Sequence, residues 1–222
     1  MKHKAPTYAA VLVVLVLTWN VSKNVRQGAR QLLGVRSVEQ IKVKVQPETS
    51  SPKCGLSRFC PPQHFAVYVR SGAADVVGPK ICFDGQIIMS HVLNNVGPGL
   101  NIVVINGVNG AVDKSGYLNM KDGVPEEILA YLKAIKSGDM VIVASFDDAT
   151  TKLTEEMKGI FVNMGSTLIT SLRYRDNWVF VGRGRAGNIS SFEKRAANQR
   201  ENNAYEEWPA AVEVGGCFPA TA

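Results

Sequence analysis

The densest run of hydrogen-bonding and aromatic side chains is Arg173-Tyr174-Arg175-Asp176-Asn177-Trp178, which sets two guanidinium groups, an acid and an indole side by side. A guanidinium offers a rigid fork of donors to hydroxyls and carboxylates, and an indole offers a flat face to sugar C–H groups. That combination suits glycan recognition; it also fits a structural Arg–Asp pair beside a core tryptophan. A second constellation is Phe146-Asp147-Asp148. Paired carboxylates at a strand end suit acid–base work or metal binding, which need a perturbed carboxyl or further ligands. Placed just before Thr154, they read instead as turn initiators. A third, Gly182-Arg183-Gly184-Arg185-Ala186-Gly187, matches G-x-G-x-x-G. A dinucleotide fingerprint needs a complete βαβ unit after it, and too little chain follows, so it reads as a glycine-rich surface loop. His3, His64 and His91 lack ligand spacing, and no Ser/His/Asp, Cys/His or G-x-S-x-G arrangement occurs. The chemistry expected is binding, without catalysis, metal or cofactor.

These residues need a framework, and the cysteines supply part of it. Cys54, Cys60, Cys82 and Cys217 form an even set behind an apolar leader, a pattern that points to disulfides in an oxidising compartment. Four cysteines allow three pairings, and spacing does not choose among them. The leader begins with Met1-Lys2-His3-Lys4 and continues through apolar residues 8–17. That run is short for a bilayer span, which takes roughly 20 residues, and fits the apolar region of a signal peptide. Residues 1–22 are therefore expected to be a signal peptide. An uncleaved signal anchor is the alternative, because Trp19-Asn20-Val21-Ser22 is a poor cleavage site. Two sequons, at Asn20 and Asn188, could accept N-glycans.

Residues 23–53 are polar and basic and read as a linker, with one strand-like patch, Ile41-Lys42-Val43-Lys44-Val45. Across all 222 residues the hydrophobic share is 45% and the net charge +6, with much of the excess before residue 50. No basic stripe with interleaved aromatics appears, so nucleic-acid binding is not expected. The folded unit is expected over residues 54–219. Strand-like runs dominate it: Phe65-Ala66-Val67-Tyr68-Val69, Leu100 to Ile105, Met140 to Ala144 and Trp178 to Val181. Asn106-Gly107 and Asn109-Gly110 predict a hairpin after the second of these. Two helices are expected. One covers 125–136, with Pro125 in its first turn and Ile128, Leu129, Leu132 and Ile135 on one stripe. The other covers 155–164, with Thr154 as N-cap, Met157, Ile160, Phe161 and Met164 inward, and Gly165 as a stop. Strands outnumber helices, so the fold class is α+β.

Six ordered blocks then carry a resemblance: Ser71-Gly72-Ala73-Ala74-Asp75-Val76-Val77-Gly78-Pro79-Lys80-Ile81-Cys82-Phe83; Asn94-Asn95-Val96-Gly97-Pro98-Gly99-Leu100-Asn101-Ile102; Val143-Ala144-Ser145-Phe146-Asp147-Asp148; Arg175-Asp176-Asn177-Trp178-Val179-Phe180-Val181-Gly182; Tyr205-Glu206-Glu207-Trp208-Pro209; and Gly216-Cys217. Together they closely resemble the secreted cytokine-like family of pancreatic-derived factor and the interleukin-like inducer of epithelial–mesenchymal transition. The resemblance runs from about Lys53 to Pro219. It implies a β-β-α fold of two antiparallel sheets flanked by short helices, a polar cavity, and disulfides Cys54–Cys82 and Cys60–Cys217. The same domain type, a GG-type lectin domain, occurs in the stem of a protein O-mannose N-acetylglucosaminyltransferase. There two arginines and an aspartate contact glycan, and the matching positions here are Pro98, Asp147 and Arg175. Pro98 supplies no donor, and Glu207 stands where glycine is usual before the Trp-Pro pair.

The expectation that follows is a secreted, extracellular, cytokine-like glycoprotein that passes through the endoplasmic reticulum and Golgi. It would bind a cell-surface receptor, a carbohydrate or both, in metabolic or epithelial regulation, without a stable membrane span once the signal is cleaved. Members can also exchange bridges to form disulfide-linked homodimers. The alternative is a Golgi- or surface-anchored glycan-binding module.

Overall fold

The computed structural model describes residues 17–19, 51–185 and 187–221. The chain divides into two units, Met1–Thr49 and Ser50–Ala222. Of the signal segment and linker, only residues 17–19, which are helical, and 51–53 fall within the described residues. The Ile41-to-Val45 patch and the Asn20 sequon lie outside them. Among the described residues no helix is long and apolar enough to cross a membrane.

Among the described residues, nine strands and two α-helices build the second unit: β1 (His64–Arg70), β2 (Lys80–Phe83), β3 (Gln86–Ser90), β4 (Gly99–Ile105), β5 (Val112–Leu118), α1 (Pro125–Lys133), β6 (Met140–Phe146), α2 (Glu155–Asn163), β7 (Asn177–Arg183), β8 (Glu193–Ala196) and β9 (Glu213–Pro219). They form two antiparallel sheets, ordered β3-β2-β1-β9 and β5-β4-β6-β7-β8.

The near-continuous apolar runs now have a reason. The central strands of the five-stranded sheet are covered on both faces, so both alternating sets must be apolar. Val103, Ile105, Met140, Ile142, Ala144, Val179 and Val181 meet Val67, Val69, Ile81 and Met89 of the other sheet. Leu100, Ile102, Val104, Val141, Val143, Trp178 and Phe180 face the opposite way, onto Ile128 and Leu132 of α1 and Met157 and Phe161 of α2. The architecture is three layers, sheet on sheet on helices: the β-β-α arrangement of an α+β fold.

The β4–β5 hairpin forms as the Asn-Gly pairs predict, with the Asn106 side chain accepting from the backbone of Val108 and Asn109. Thr154 caps α2 by accepting from the Met157 N–H. Both helices end sooner than expected. After Lys133 the chain turns through Ala134, yet Ile135 stays buried, because a terminal turn keeps the stripe facing inward. The glycine-rich segment also departs from expectation. Gly182 and Arg183 are the last residues of β7, and a Cβ on Gly184 would strike the Lys136 carbonyl at 2.1 Å. Gly182 and Gly184 therefore serve close packing, and only the segment after them reaches the surface.

Cys54 is bonded to Cys82 and Cys60 to Cys217. The first bridge fastens the segment before β1 to β2. The second closes a separation of 157 residues and fastens the same segment to β9.

Candidate functional site

One end of the five-stranded sheet gathers the starts of β4 and β7 and the end of β6. Gly99 is paired with Phe146, and Ala144 with Val179, so Pro98, Asp147 and Arg175 arrive at the same rim. Each is placed by a turn that its own sequence specifies. The buried Asn101 side chain both accepts from the Gly97 N–H and donates to the Gly97 carbonyl, which pins the turn carrying Pro98. Gly99 has φ +104, and a Cβ there would lie 2.2 Å from the Leu118 carbonyl, so only glycine fits.

Asp147 and Asp148 have opposite employments. Asp148, buried to 2% exposure, accepts from the backbone and hydroxyl groups of both Thr150 and Thr151. Burial alone would raise its pKa. The bonds from Thr151 and Thr150 outweigh burial and hold the carboxyl below its ordinary value. It is the turn initiator expected from sequence. Asp147 takes the left-handed backbone, at φ +57, and its Oδ2 accepts from the Lys121 ammonium at 3.2 Å. That hydrogen bond and the carboxylate charge raise the Lys121 pKa. Lys121 sits in a turn organised by Asn119, whose side chain accepts from the backbone of Lys121 and Asp122.

Arg175 is also left-handed, at φ +60, and its backbone N–H points to Asp148 Oδ1 at 3.4 Å. Its guanidinium lies 4.0 Å from the Trp208 ring centroid and 4.9 Å from that of Tyr174. Nη1 donates to Glu207, while Nε and the Trp208 indole N–H are buried without a partner. Glu207 follows a third left-handed non-glycine residue, Glu206 at φ +54. Their turn closes through Tyr205 and Trp208 backbone bonds and is tied to the start of β7 by Asn177, which donates to the Pro209 and Ala210 carbonyls. Left-handed backbone at non-glycine residues is uncommon and costs about 1 kcal/mol or more at each.

Within the Arg173-to-Trp178 run the structure separates roles. Trp178 is fully buried against Phe161 and Phe180, with its indole N–H on Glu193, so it is not the sugar-facing ring. The buried Asp176 carboxylate accepts from the Arg173 and Asn198 backbone and pairs with Arg195 at 3.8 Å. The structural Arg–Asp pair therefore exists, but its arginine comes from β8. A polar cleft of ≈ 390 Å³ opens beside it, lined by Arg173, Asp176, Arg195 and Asn198 among others, apart from Asp147 and Arg175. Asn188 is exposed beyond the other end of β7. Among the described residues no group of three His, Cys, Asp or Glu side chains could hold a metal ion.

Sequence reasoning did not foresee Lys121 at this rim. The Asn119-x-x-Asp122-Gly123 pattern marks a turn, but a turn signal carries no information about what its lysine will meet.

Comparison with known proteins follows the same segments. A protein-family model described as interleukin-like EMT inducer matches residues 98–185, which span the β4 turn, Asp147 and Arg175. Protein FAM3C of Rattus norvegicus is 47% identical over 167 residues, covering 75% of this chain and 74% of its own length. Protein FAM3C of Homo sapiens is 45% identical over 167 residues, with coverage of 75% and 74%. Protein FAM3A of Homo sapiens is 39% identical over 226 residues, covering 99% of this chain and 97% of its own. The chain belongs to the cytokine-like FAM3 family, that of the interleukin-like EMT inducer and pancreatic-derived factor.

Proposed function

We propose that this protein is a secreted signalling ligand that acts by binding, and that the Asp147–Arg175 rim is where it takes carbohydrate on a cell-surface receptor. The observation that carries this reading is the gathering at one rim of Asp147, Arg175 and Glu206, three of the nine non-glycine residues in left-handed backbone among the described residues, beside a guanidinium set against the Tyr174 and Trp208 rings. Strain of this kind is kept where surrounding structure must aim a side chain, and the exposed Tyr174 ring beside the Arg175–Glu207 pair offers a face to sugar C–H groups and charged partners to sugar hydroxyls. Lys121, beside Asp147, offers an ammonium at the rim where Pro98 offers no donor.

A binding role is favoured over catalysis by how the carboxylates are used. Asp148 is held ionised by the Thr150 and Thr151 bonds that close its turn, and the Asp147 side chain is engaged by Lys121, so both carboxylates already have partners within the fold. Metabolic or epithelial regulation, and release to the extracellular space, belong to this reading through the family.

The test is an NMR titration of the labelled protein with methyl N-acetyl-β-glucosaminide at millimolar concentration. Wild type is expected to show shifts confined to residues near Asp147, Arg175 and Trp208, and Arg175→Ala to lose them while keeping its folded spectrum. Absence of any shift in wild type would sink the carbohydrate reading.

A further inference from the structure

The charges at the rim alternate in sign, which limits what can enter. Lys121 is paired with Asp147, and Arg175 with Glu207. In the second pair the Glu207 side chain is 69% exposed and that of Arg175 20%, so the carboxylate stands between the guanidinium and solvent. The Tyr174 and Trp208 rings lie near the guanidinium and its Nε is buried, which leaves the Nη groups as the part that can bind. A ligand approaching those groups meets Glu207 first.

We propose that Glu207 sets the charge specificity of this site, admitting uncharged polyhydroxyl ligands and rejecting anionic ones. The inference rests on reading the rim as a carbohydrate site. A hydroxyl both donates and accepts, so a sugar diol can donate to Glu207 or Asp147 while accepting from Arg175 or Lys121. A sulfate or carboxylate only accepts. It would face Glu207 as a like charge, and like charges in juxtaposition discriminate against the wrong partner. The rest of the unit supplies no compensating attraction, because residues 51–222 hold 17 Lys/Arg and 17 Asp/Glu. Glu207 thus acts as a built-in counter-ion: glycine at this position would leave the guanidinium open to anions.

The test compares methyl N-acetyl-β-glucosaminide with its 6-sulfate, by NMR titration of wild type and Glu207→Gln. Wild type is expected to bind the sulfated sugar about fivefold more weakly than the neutral one, the scale of one partly exposed charge contact. Glu207→Gln is expected to raise the ratio of sulfated- to neutral-sugar binding about fivefold, an effect that shrinks as salt is added. Equal binding of both sugars by wild type, or an unchanged ratio in Glu207→Gln, would overturn the charge rule while leaving the carbohydrate reading intact. If wild type binds neither sugar, the carbohydrate reading fails; the charge rule then stands only if Glu207→Gln acquires binding of the sulfated sugar, and falls if it does not.

Discussion

Two arginines flank β7, and they are used in opposite ways. At its far end Arg183 donates to the Gly138 and Pro219 carbonyls and to Thr221, and lies 5.4 Å from the Phe218 ring centroid. Burial lowers its pKa, and backbone carbonyls surround its fork. At the near end Arg175 meets one exposed carboxylate and keeps an unpartnered Nε. Backbone acceptors cannot leave without unfolding the segments that carry them, whereas a surface carboxylate can be shared or displaced. The difference separates a guanidinium committed to holding the C-terminal segment from one held by a single exposed carboxylate, the one proposed to meet a ligand.

The comparison predicts where stability resides. Removing the Cys60–Cys217 bridge with paired serines frees β9 at the Arg183 end, and on the chain-entropy model it should cost about 4–5 kcal/mol in denaturant unfolding. A loss below about 1 kcal/mol would mean that Arg183 and strand pairing suffice to close the domain. Arg183→Met retains the stem on Phe218 but leaves the Gly138 and Pro219 carbonyls without this donor. It should cost about 2 kcal/mol, against under about 1 kcal/mol for Arg175→Met, where a surface ion pair and ring contact are lost. Equal costs would erase the distinction between the two ends.

A smaller effect separates the neighbouring aspartates. The Asp148 pKa is lowered in the fold, so its contribution is present above the unfolded carboxylate value of about 3.9 and is lost as pH falls through the folded value. Asp148→Asn should therefore flatten the acid limb of the stability–pH profile below about pH 4 and cost about 1–2 kcal/mol at neutral pH. Asp147→Asn should cost less than Asp148→Asn at neutral pH, under about 1 kcal/mol, since its side chain meets one exposed lysine and closes no turn.

Local chemistry explains how much could be read in advance. The strands β4, β6 and β7 were legible because burial on both faces requires unbroken apolar runs, and α2 because Thr154 and Met157 lie within one turn. Short strands such as β3 and β8 were not anticipated: Gln86–Ser90 and Glu193–Ala196 are half exposed and lack a clean alternation. The polar run before Trp178 and the apolar run after it support two readings of that ring, and its neighbours Phe161, Phe180 and Glu193 show it to be core.

By itself the sequence determined what is set within a few residues: the hairpin at Asn106, the cap at Thr154 and the turn at Asp148. It also determined which faces must be buried. Local sequence signals leave open what depends on distant partners, although family resemblance did imply the two disulfides. Cys60 reaches Cys217 across 157 positions. Lys121 reaches Asp147 across 26, and Arg175 reaches Glu207 across 32. Spacing along a chain carries no record of such meetings, because sheet register and turn geometry, summed over several strands, bring those side chains to one rim.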